Sequence, residues 1–317
     1  MLYSVIIPCY NSSQTIEHVV SMTRDEMVRL GRGDVEFVLV NDCSPDGGKT
    51  LAVLKEMAAQ YPDVKVVSLA KNSGQHNALM AALHFVKGEV IIGMDDDGQT
   101  HPSQLGKMFE TFDHGYDLVY GYYPNKKHSF LRNLGSRFND LTVNAMIQKP
   151  KDVRTSSYFI VRRFVRDYAV QYTGPYTYLL GLFMRCTKNI ASMPIQHFER
   201  EVGESNYTLK SLIGLWSDII GFSVIPLRVA SFTGFFFAAV GIIFAITIVI
   251  RKLVDPTLSM GWPSLMCAIT FFFGLTFLFL GMIGEYVGRL FLSMNKEPQY
   301  VIRETYNIEE TEDAEDD

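Results

Sequence analysis

With 317 residues the chain has room for one globular domain of ordinary size and something more. Its formal net charge of -5 argues against nucleic acid as the main partner. Cys9, Cys43, Cys186 and Cys267 are scattered without metal-ligand spacing, which argues against a zinc or disulfide framework and suits free thiols in a reducing compartment. The N-terminus lacks a basic region followed by an apolar segment and a cleavage site, so the first domain is expected to stay unexported.

In chain order, Tyr3 to Pro8 reads as a short apolar strand, broken at Pro8-Cys9-Tyr10-Asn11 before a helix capped by Ser12 or Ser13 that runs towards Leu30. A second strand, Val35 to Val40, ends in the turn-forming run Asn41-Asp42-Cys43-Ser44-Pro45-Asp46-Gly47-Gly48. Helix Lys49 to Gln60, strand Val64 to Leu69, helix Gln75 to Val86 and strand Glu89 to Met94 follow. This alternation predicts an α/β fold, a largely parallel sheet with helices on both faces. Ligands of such sheets collect beyond the carboxyl ends of the strands. Tyr10-Asn11, Asn41-Asp42, Lys71-Asn72 and Asp95-Asp96-Asp97 each follow one of these strands, and together they mark one edge as a site.

The last of these clusters organises the rest. Three consecutive carboxylates after an apolar run repel one another and raise each other's pKa unless a cation sits among them. At strand spacing Asp95 and Asp97 share one face and Asp96 takes the other. The outer two are thus placed to hold a hard cation, Mg²⁺ or Mn²⁺, with substrate phosphates completing its shell. A solvated acidic turn ahead of a helix is the plainer reading of the same residues.

Further on, the pattern predicts a helix from about Pro102 to Phe112 and strands at Asp117 to Gly121, Val153 to Val161 and Met193 to Glu199. Ser129 to Ile147 mixes apolar residues with Arg132 and Arg137, which suits an amphipathic helix on a membrane surface or one packed on its own domain. Tyr207 to Leu227 reads as an interfacial helix broken at Pro226. Val229 to Ile250 then holds no formal charge and as a helix extends about 33 Å, enough for a hydrocarbon core of about 30 Å. Gly261 to Gly284 does the same again, so a two-helix transmembrane hairpin is expected. Lys210, Arg228, Arg289, Lys296 and Arg303 flank it, against Arg251 and Lys252 in its loop, which places both flanks in the cytoplasm. From Glu304 to Asp317 there are eight acids and no base, a tail expected to be solvated and disordered. The expected organisation is a cytoplasmic catalytic domain over 1–206, an interfacial helix over 207–228, spans over 229–250 and 261–284, and a cytoplasmic tail over 285–317. Two spans leave helix surface free to pack against copies of the chain, so a homo-oligomer is open.

Val5-Ile6-Ile7-Pro8-Cys9-Tyr10-Asn11, Asn41 to Gly47, Asn72-Ser73-Gly74-Gln75-His76 and Asp95 to Pro102 resemble the successive signatures of family-2 glycosyltransferases with the GT-A fold. Arg200-Glu201-Val202-Gly203-Glu204-Ser205-Asn206-Tyr207 and Gly284-Glu285-Tyr286-Val287-Gly288-Arg289 narrow the resemblance to the polyprenyl-phosphate glycosyltransferases, the group of dolichol-phosphate mannose synthase and the bacterial undecaprenyl-phosphate sugar transferases. The resemblance implies that Pro8, Tyr10 and Asp42 frame the nucleoside of a UDP-sugar, with Asn41 where many relatives have Asp. It matches Asp95 and Asp97 to the family's Asp-x-Asp, Gln99 to a further metal-side residue, and Arg200, Ser205 and Tyr207 to an element near the acceptor phosphate. Asp152 stands where relatives often carry an acid near the reacting centre. By their place on the same edge, Asn11, Lys71, Asn72, Gln75 and Asp96 join the nucleotide-sugar contacts.

The reaction so implied is attack by a lipid phosphate on the anomeric carbon, with inversion and loss of UDP. Asp97, Asp152 and Arg200 are the expected catalytic residues. Two anionic substrates must meet, which calls for Arg200 and one or more of Arg132, Arg137 and Arg154 at the acceptor phosphate. Arg132 and Arg137 equally suit anionic lipid headgroups, Tyr207 an interfacial aromatic, and His76 and His101 structural positions at helix starts. Rival readings are a processive polysaccharide synthase, for which a Gln-x-x-Arg-Trp element is missing at Trp216 and Trp262, and a non-catalytic membrane scaffold with a nucleotide-sugar-binding domain.

Overall fold

The structure, a computed structural model, describes residues 1–124, 153–174, 177–196, 198, 225–254, 261–294 and 298–308. Strands β1 (Tyr3–Cys9), β2 (Val35–Asn41), β3 (Val64–Leu69) and β4 (Val90–Gly93) carry the expected apolar runs and are almost wholly buried, as parallel strands covered on both faces are. They lie parallel in the order β4-β1-β2-β3. Between and after them come α1 (Ile16–Arg29), α2 (Lys49–Gln60), α3 (Gln75–Phe85) and, behind a 3-10 turn at Pro102–Gln104, α4 (Leu105–Asp113).

Side chains of a strand alternate between faces, and two cores follow from that. Val5, Ile7, Phe37 and Leu39 face Ile16, Val20, Leu54 and Phe109 of α1, α2 and α4. Ile6, Val38, Val40 and Ile91 face Ala78, Met80 and Leu83 of α3. Two further helices, α5 (Arg163–Ala169) and α6 (Leu179–Cys186), which the sequence pattern did not reveal, complete this second face with Val165, Leu179 and Phe183.

The sheet continues beyond β4 with β6 (Phe159–Arg162), antiparallel to it, then β5 (Leu118–Tyr122) and β7 (Ile190–Pro194). Two expected strands are corrected here. The run Val153 to Val161 pairs only from Phe159, because Ser156 turns its hydroxyl onto the carbonyls of Gly121 and Tyr158 and holds the preceding residues off the ladder. The strand expected from Met193 starts earlier, at Ile190, and ends at Pro194, with the Ile195 N–H still donating to the Tyr122 carbonyl at 2.8 Å. Gly93 is required by close approach, since a Cβ there would run into the Phe159 ring of β6.

A larger difference lies near the C-terminus. Residues of the expected tail form β8 (Ile302–Tyr306), antiparallel to β3, so the sheet has eight strands in the order β7-β5-β6-β4-β1-β2-β3-β8. Glu304, the first acid of the expected disordered run, lies in this strand and pairs with Lys55 of α2. Asn307 donates to the carbonyls of Ala58, Tyr61 and Val64, and Gln299 to those of Tyr172 and Gly174.

Between the last catalytic-domain residues and β8 stand two long helices, α7 (Ile225–Val254) and α8 (Trp262–Met294). They meet through Phe237, whose ring packs edge-on to Phe271 and Phe272 at 5.7 and 5.9 Å. Among the described residues one stretch, Phe271–Gly288, is long and apolar enough to cross a membrane, and in α7 the apolar stretch Ala230–Gly241 is shorter. The expected two spans are thus helical, and one of them carries a full-length apolar window, placed further along the chain than 261–284.

At the end of the sheet opposite the polar loops, Glu36 is buried. It accepts from Lys65 Nζ at 2.6 Å, from Ser4 Oγ at 2.6 Å and from the Lys87 backbone N–H. Burial raises its pKa, but these three donors outweigh burial and hold it below the ordinary value. Lys65→Met leaves that carboxylate buried without its cation, and the expected cost is about 3 kcal/mol, read as a lower melting temperature of the purified protein; adding Glu36→Gln should recover much of it. A single variant as stable as the parent would show that the pair is dispensable.

Candidate active site

The carboxyl ends of the parallel strands turn sharply. Asn11 after β1, Cys43 after β2, Gly74 after β3 and Gly98 after β4 all have positive φ, at 60°, 51°, 83° and 76°. Left-handed backbone is cheap for glycine and tolerable for asparagine, and its concentration at one edge is the usual mark of a site.

Hydrogen bonds between the loops lock these turns together. Asn41 accepts from Ser44 Oγ at 2.8 Å and donates to Ser68 Oγ at 3.3 Å, a double duty that an ionised aspartate in its place could not perform. Ser44 Oγ in turn accepts from the Asn11 N–H. Asp42 is 4% exposed, and its two oxygens accept from the N–H groups of Ser73 at 2.7 Å and Gly74 at 2.9 Å. Burial raises its pKa while those two donors lower it. Asp42 therefore shapes the Lys71–Gly74 loop first of all, leaving Lys71 and Asn72 exposed at the edge, beside Tyr10 and the half-buried Pro8.

The three aspartates diverge. Asp95 Oδ1 accepts from Gln75 Nε2 at 2.7 Å and Oδ2 from Ser157 Oγ at 2.6 Å. Asp96 turns to the β1 loop and accepts from the Tyr10 N–H at 3.0 Å and from Ser12 Oγ. Asp97 accepts from the Gln99 N–H at 3.0 Å. Thr100 Oγ1 closes the loop on the Asp95 N–H, and the Tyr123 hydroxyl donates to the Gln99 carbonyl.

Desolvation pushes the Asp95 pKa up to about 7, with the Asp97 charge a larger contributor than the Asp96 charge; the bonds from Ser157 and Gln75 pull it down. Among the described residues there is no group of three or more His, Cys, Asp or Glu side chains able to hold a metal. The donor set still fits Mg²⁺ or Mn²⁺, which are commonly held by one or two carboxylates with substrate phosphates supplying the rest. Each Asp95 oxygen also keeps a second acceptor position beyond its present bond.

Thr100, Tyr123 and Ser157 were not singled out in the sequence, and Ser12, expected to cap α1, instead turns its hydroxyl to Asp96 while the cap falls at Thr15. Only the run Thr155-Ser156-Ser157, ending at the start of β6, offered a signal for one of them. Arg154 is exposed, with its guanidinium 4.8 Å above the Tyr122 ring, three residues from Ser157. Asp152, Arg200, Ser205, Tyr207, Arg132 and Arg137 lie outside the described residues.

The raised Asp95 pKa has a definite sign. The folded state holds this proton more tightly than the unfolded chain, so the contribution to stability is full below the ordinary value of 3.8 and is lost as pH rises through about 7. Without divalent ions the melting temperature is expected to fall between pH 5 and 8, with a shallower fall in Asp95→Asn. Mn²⁺ should restore the parent more at pH 8 than at pH 5. Identical slopes for parent and variant would contradict this assignment.

The profile of Glycosyl transferase family 2 matches residues 4–168. The chain is 31% identical over 312 residues to undecaprenyl-phosphate 4-deoxy-4-formamido-L-arabinose transferase of Edwardsiella ictaluri (strain 93-146), covering 95% of this chain and 93% of that one. It is 30% identical over 322 residues to the transferase of the same name from Klebsiella pneumoniae (strain 342), covering 99% and 96%. A solved structure of glucosyl-3-phosphoglycerate synthase from Mycobacterium tuberculosis with Mn²⁺, UDP-glucose and phosphoglyceric acid superposes with a TM-score of 0.48 at 19% identity, covering 70% of this chain and 79% of that one. The chain belongs to glycosyl transferase family 2 and is a glycosyltransferase with a GT-A-like α/β fold, related along nearly its whole length to undecaprenyl-phosphate sugar transferases.

Proposed function

We propose that this chain transfers one sugar, with inversion, from a UDP-sugar to undecaprenyl phosphate at the cytoplasmic face of the inner membrane. The observation that carries the reading is the return of the chain to its own sheet. After α7 and α8 the backbone comes back as β8 and pairs with β3, so the acidic edge and the membrane-length stretch of α8 belong to one folded unit. A strand paired to β3 lies on β3's side of any membrane. If Phe271–Gly288 crosses, the chain must cross a second time before it, most simply through α7, which gives two spans with both flanks on one side; the excess of Lys and Arg in the flanks favours the cytoplasm as that side. The names of the relatives supply the lipid acceptor.

In the proposed reaction an oxygen of the lipid phosphate forms a bond to the anomeric carbon while the bond from that carbon to the diphosphate oxygen breaks on the opposite face. Asp95, Asp97 and Gln99 would hold Mg²⁺ or Mn²⁺, which would supply Lewis-acid neutralisation of the departing diphosphate. Gln75 and Ser157 fix the orientation of Asp95. The Tyr10 N–H and Ser12 hold Asp96 on the β1 side, away from the charge that Asp95 and Asp97 share. Asp42 holds the loop on which Lys71 and Asn72 stand ready for the nucleotide. Arg154 and, outside the described residues, Arg132, Arg137, Arg200, Ser205 and Tyr207 receive the acceptor phosphate. That phosphate has a second pKa of about 6 and is mostly a dianion at neutral pH. It needs cations around it more than a base, which leaves Asp152 a secondary role.

Purified full-length protein incubated with undecaprenyl phosphate and a panel of nucleotide sugars should yield lipid carrying one added sugar, seen by mass spectrometry. Transfer to water-soluble acceptors, or UDP release without lipid product, would overturn the reading. In initial rates at saturating Mn²⁺, Asp97→Ala is expected to lose about 10³-fold and Asp152→Asn less than about tenfold, well short of what removal of a working general base costs. The reverse ranking would make Asp152 the catalytic base.

A further inference from the structure

Three buried side-chain atoms have no hydrogen-bond partner among the described residues: His76 Nδ1, Asn77 Oδ1 and Thr177 Oγ1. Folded interiors leave few such atoms, since each loses its water without compensation, and an unmatched one points to a missing ligand or water. Asn77 is tied by its other amide atom to the Ser73 carbonyl and belongs to that turn. The remaining two both border Tyr178. The His76 ring packs edge-on against Tyr178, with centroids 5.1 Å apart, and Thr177 is the residue before Tyr178.

Both connect to Asp95 by short paths. His76 follows Gln75, which donates to Asp95 Oδ1. The Tyr178 hydroxyl is hydrogen-bonded to Thr155, two residues ahead of Ser157, which donates to Asp95 Oδ2. The two paths leave Asp95 through α3 and through the approach to β6, whereas Tyr10, Ser12 and Asp42 organise the loops after β1 and β2. Burial pushes the His76 pKa down to about 4, so its ring is neutral, with one nitrogen accepting and the other donating. A neutral imidazole and a hydroxyl offer hydrogen bonds but no charge. They suit the hydroxyl or amide groups of a sugar and do little for a phosphate.

Given a nucleotide sugar lying along this edge as proposed above, we propose that His76 and Thr177 form the subsite that reads a neutral polar substituent of the transferred sugar and so set donor choice. A site built to hydrogen-bond such a group rejects analogues that lack it, because its own polar atoms are then left unpaired.

Full-length protein in lipid nanodiscs with Mn²⁺ would be titrated calorimetrically with UDP, UDP-4-deoxy-4-formamido-L-arabinose, UDP-glucose and UDP-N-acetylglucosamine. Thr177→Val keeps the side-chain shape without the hydroxyl. It is expected to leave the Kd for UDP within about twofold, to weaken the tightest sugar nucleotide about tenfold and to compress the differences among the three. Thr177→Ser should restore them, and His76→Phe, which keeps a ring against Tyr178, should act like Thr177→Val. Equal weakening of UDP and sugar nucleotides would assign both residues to structure and overturn the proposal. Unchanged affinity for all three sugars in both variants would overturn it too, as would a parent protein that binds none of them more tightly than UDP. Failure of UDP itself to bind the parent would overturn the donor-edge reading, and the subsite with it.

Discussion

A partly desolvated negative charge at the end of β4 is the constraint around which this edge of the sheet is arranged. Asp95 has lost much of its water and stands near two further carboxylates, so its charged form is disfavoured unless donors are brought to it. Those donors come from both directions, Gln75 from the start of α3 and Ser157 from the approach to β6. Neither is near Asp95 in sequence. Delivery of Ser157 depends on β6 pairing closely with β4, which Gly93 permits by leaving room for the Phe159 ring. The remaining like charge is spread by geometry: Asp96 is drawn off to the Tyr10 N–H and Ser12, and Asp97 to its own turn. Asp95 and Asp97 are left as the carboxylates that the proposed function assigns to a hard cation.

A second constraint comes from the far edge of the sheet. β3 carries at its end the loop that Asp42 holds through the Ser73 and Gly74 N–H groups, and β8 is the strand that covers β3. The Ala70 N–H donates to the Val301 carbonyl where β3 runs out into that loop. After α8 the chain forms β8, so the long helices and the Lys71–Gly74 loop are joined through a single strand. An uncovered β3 would also present a row of unpaired backbone groups, and β8 removes that edge.

Much of this architecture is legible in the amino-acid pattern. Apolar runs such as Val35 to Val40 and Val64 to Leu69 read as strands because parallel strands are buried on both faces and need no polar alternation. The polar clusters at Tyr10, Asp42, Lys71 and Asp95 could be placed on one edge from topology alone, since each ends a parallel strand. β8 could not be found that way. Ile302-Arg303-Glu304-Thr305-Tyr306 is short and largely polar, as an edge strand open to solvent on one side can be, and it runs into the acidic residues that follow. Ser157 and Thr177 were equally hidden, because a lone hydroxyl residue carries no spacing signal and its importance lies in a partner far along the chain.

The sequence by itself determined the class of the protein: the α/β alternation, the acidic triplet after β4, the apolar stretches near the C-terminus and the family to which their order belongs. These are local properties, set by which residues bury themselves and which turn at strand ends. Tertiary structure alone decided how the three aspartates divide their hydrogen bonds, that Asp42 is committed to the Ser73–Gly74 loop, that the His76 ring packs against Tyr178, and that the chain returns to its own sheet after the long helices. Each of these depends on contacts between distant residues, and only the packed sheet, with its fixed order and register, brings them within hydrogen-bond reach.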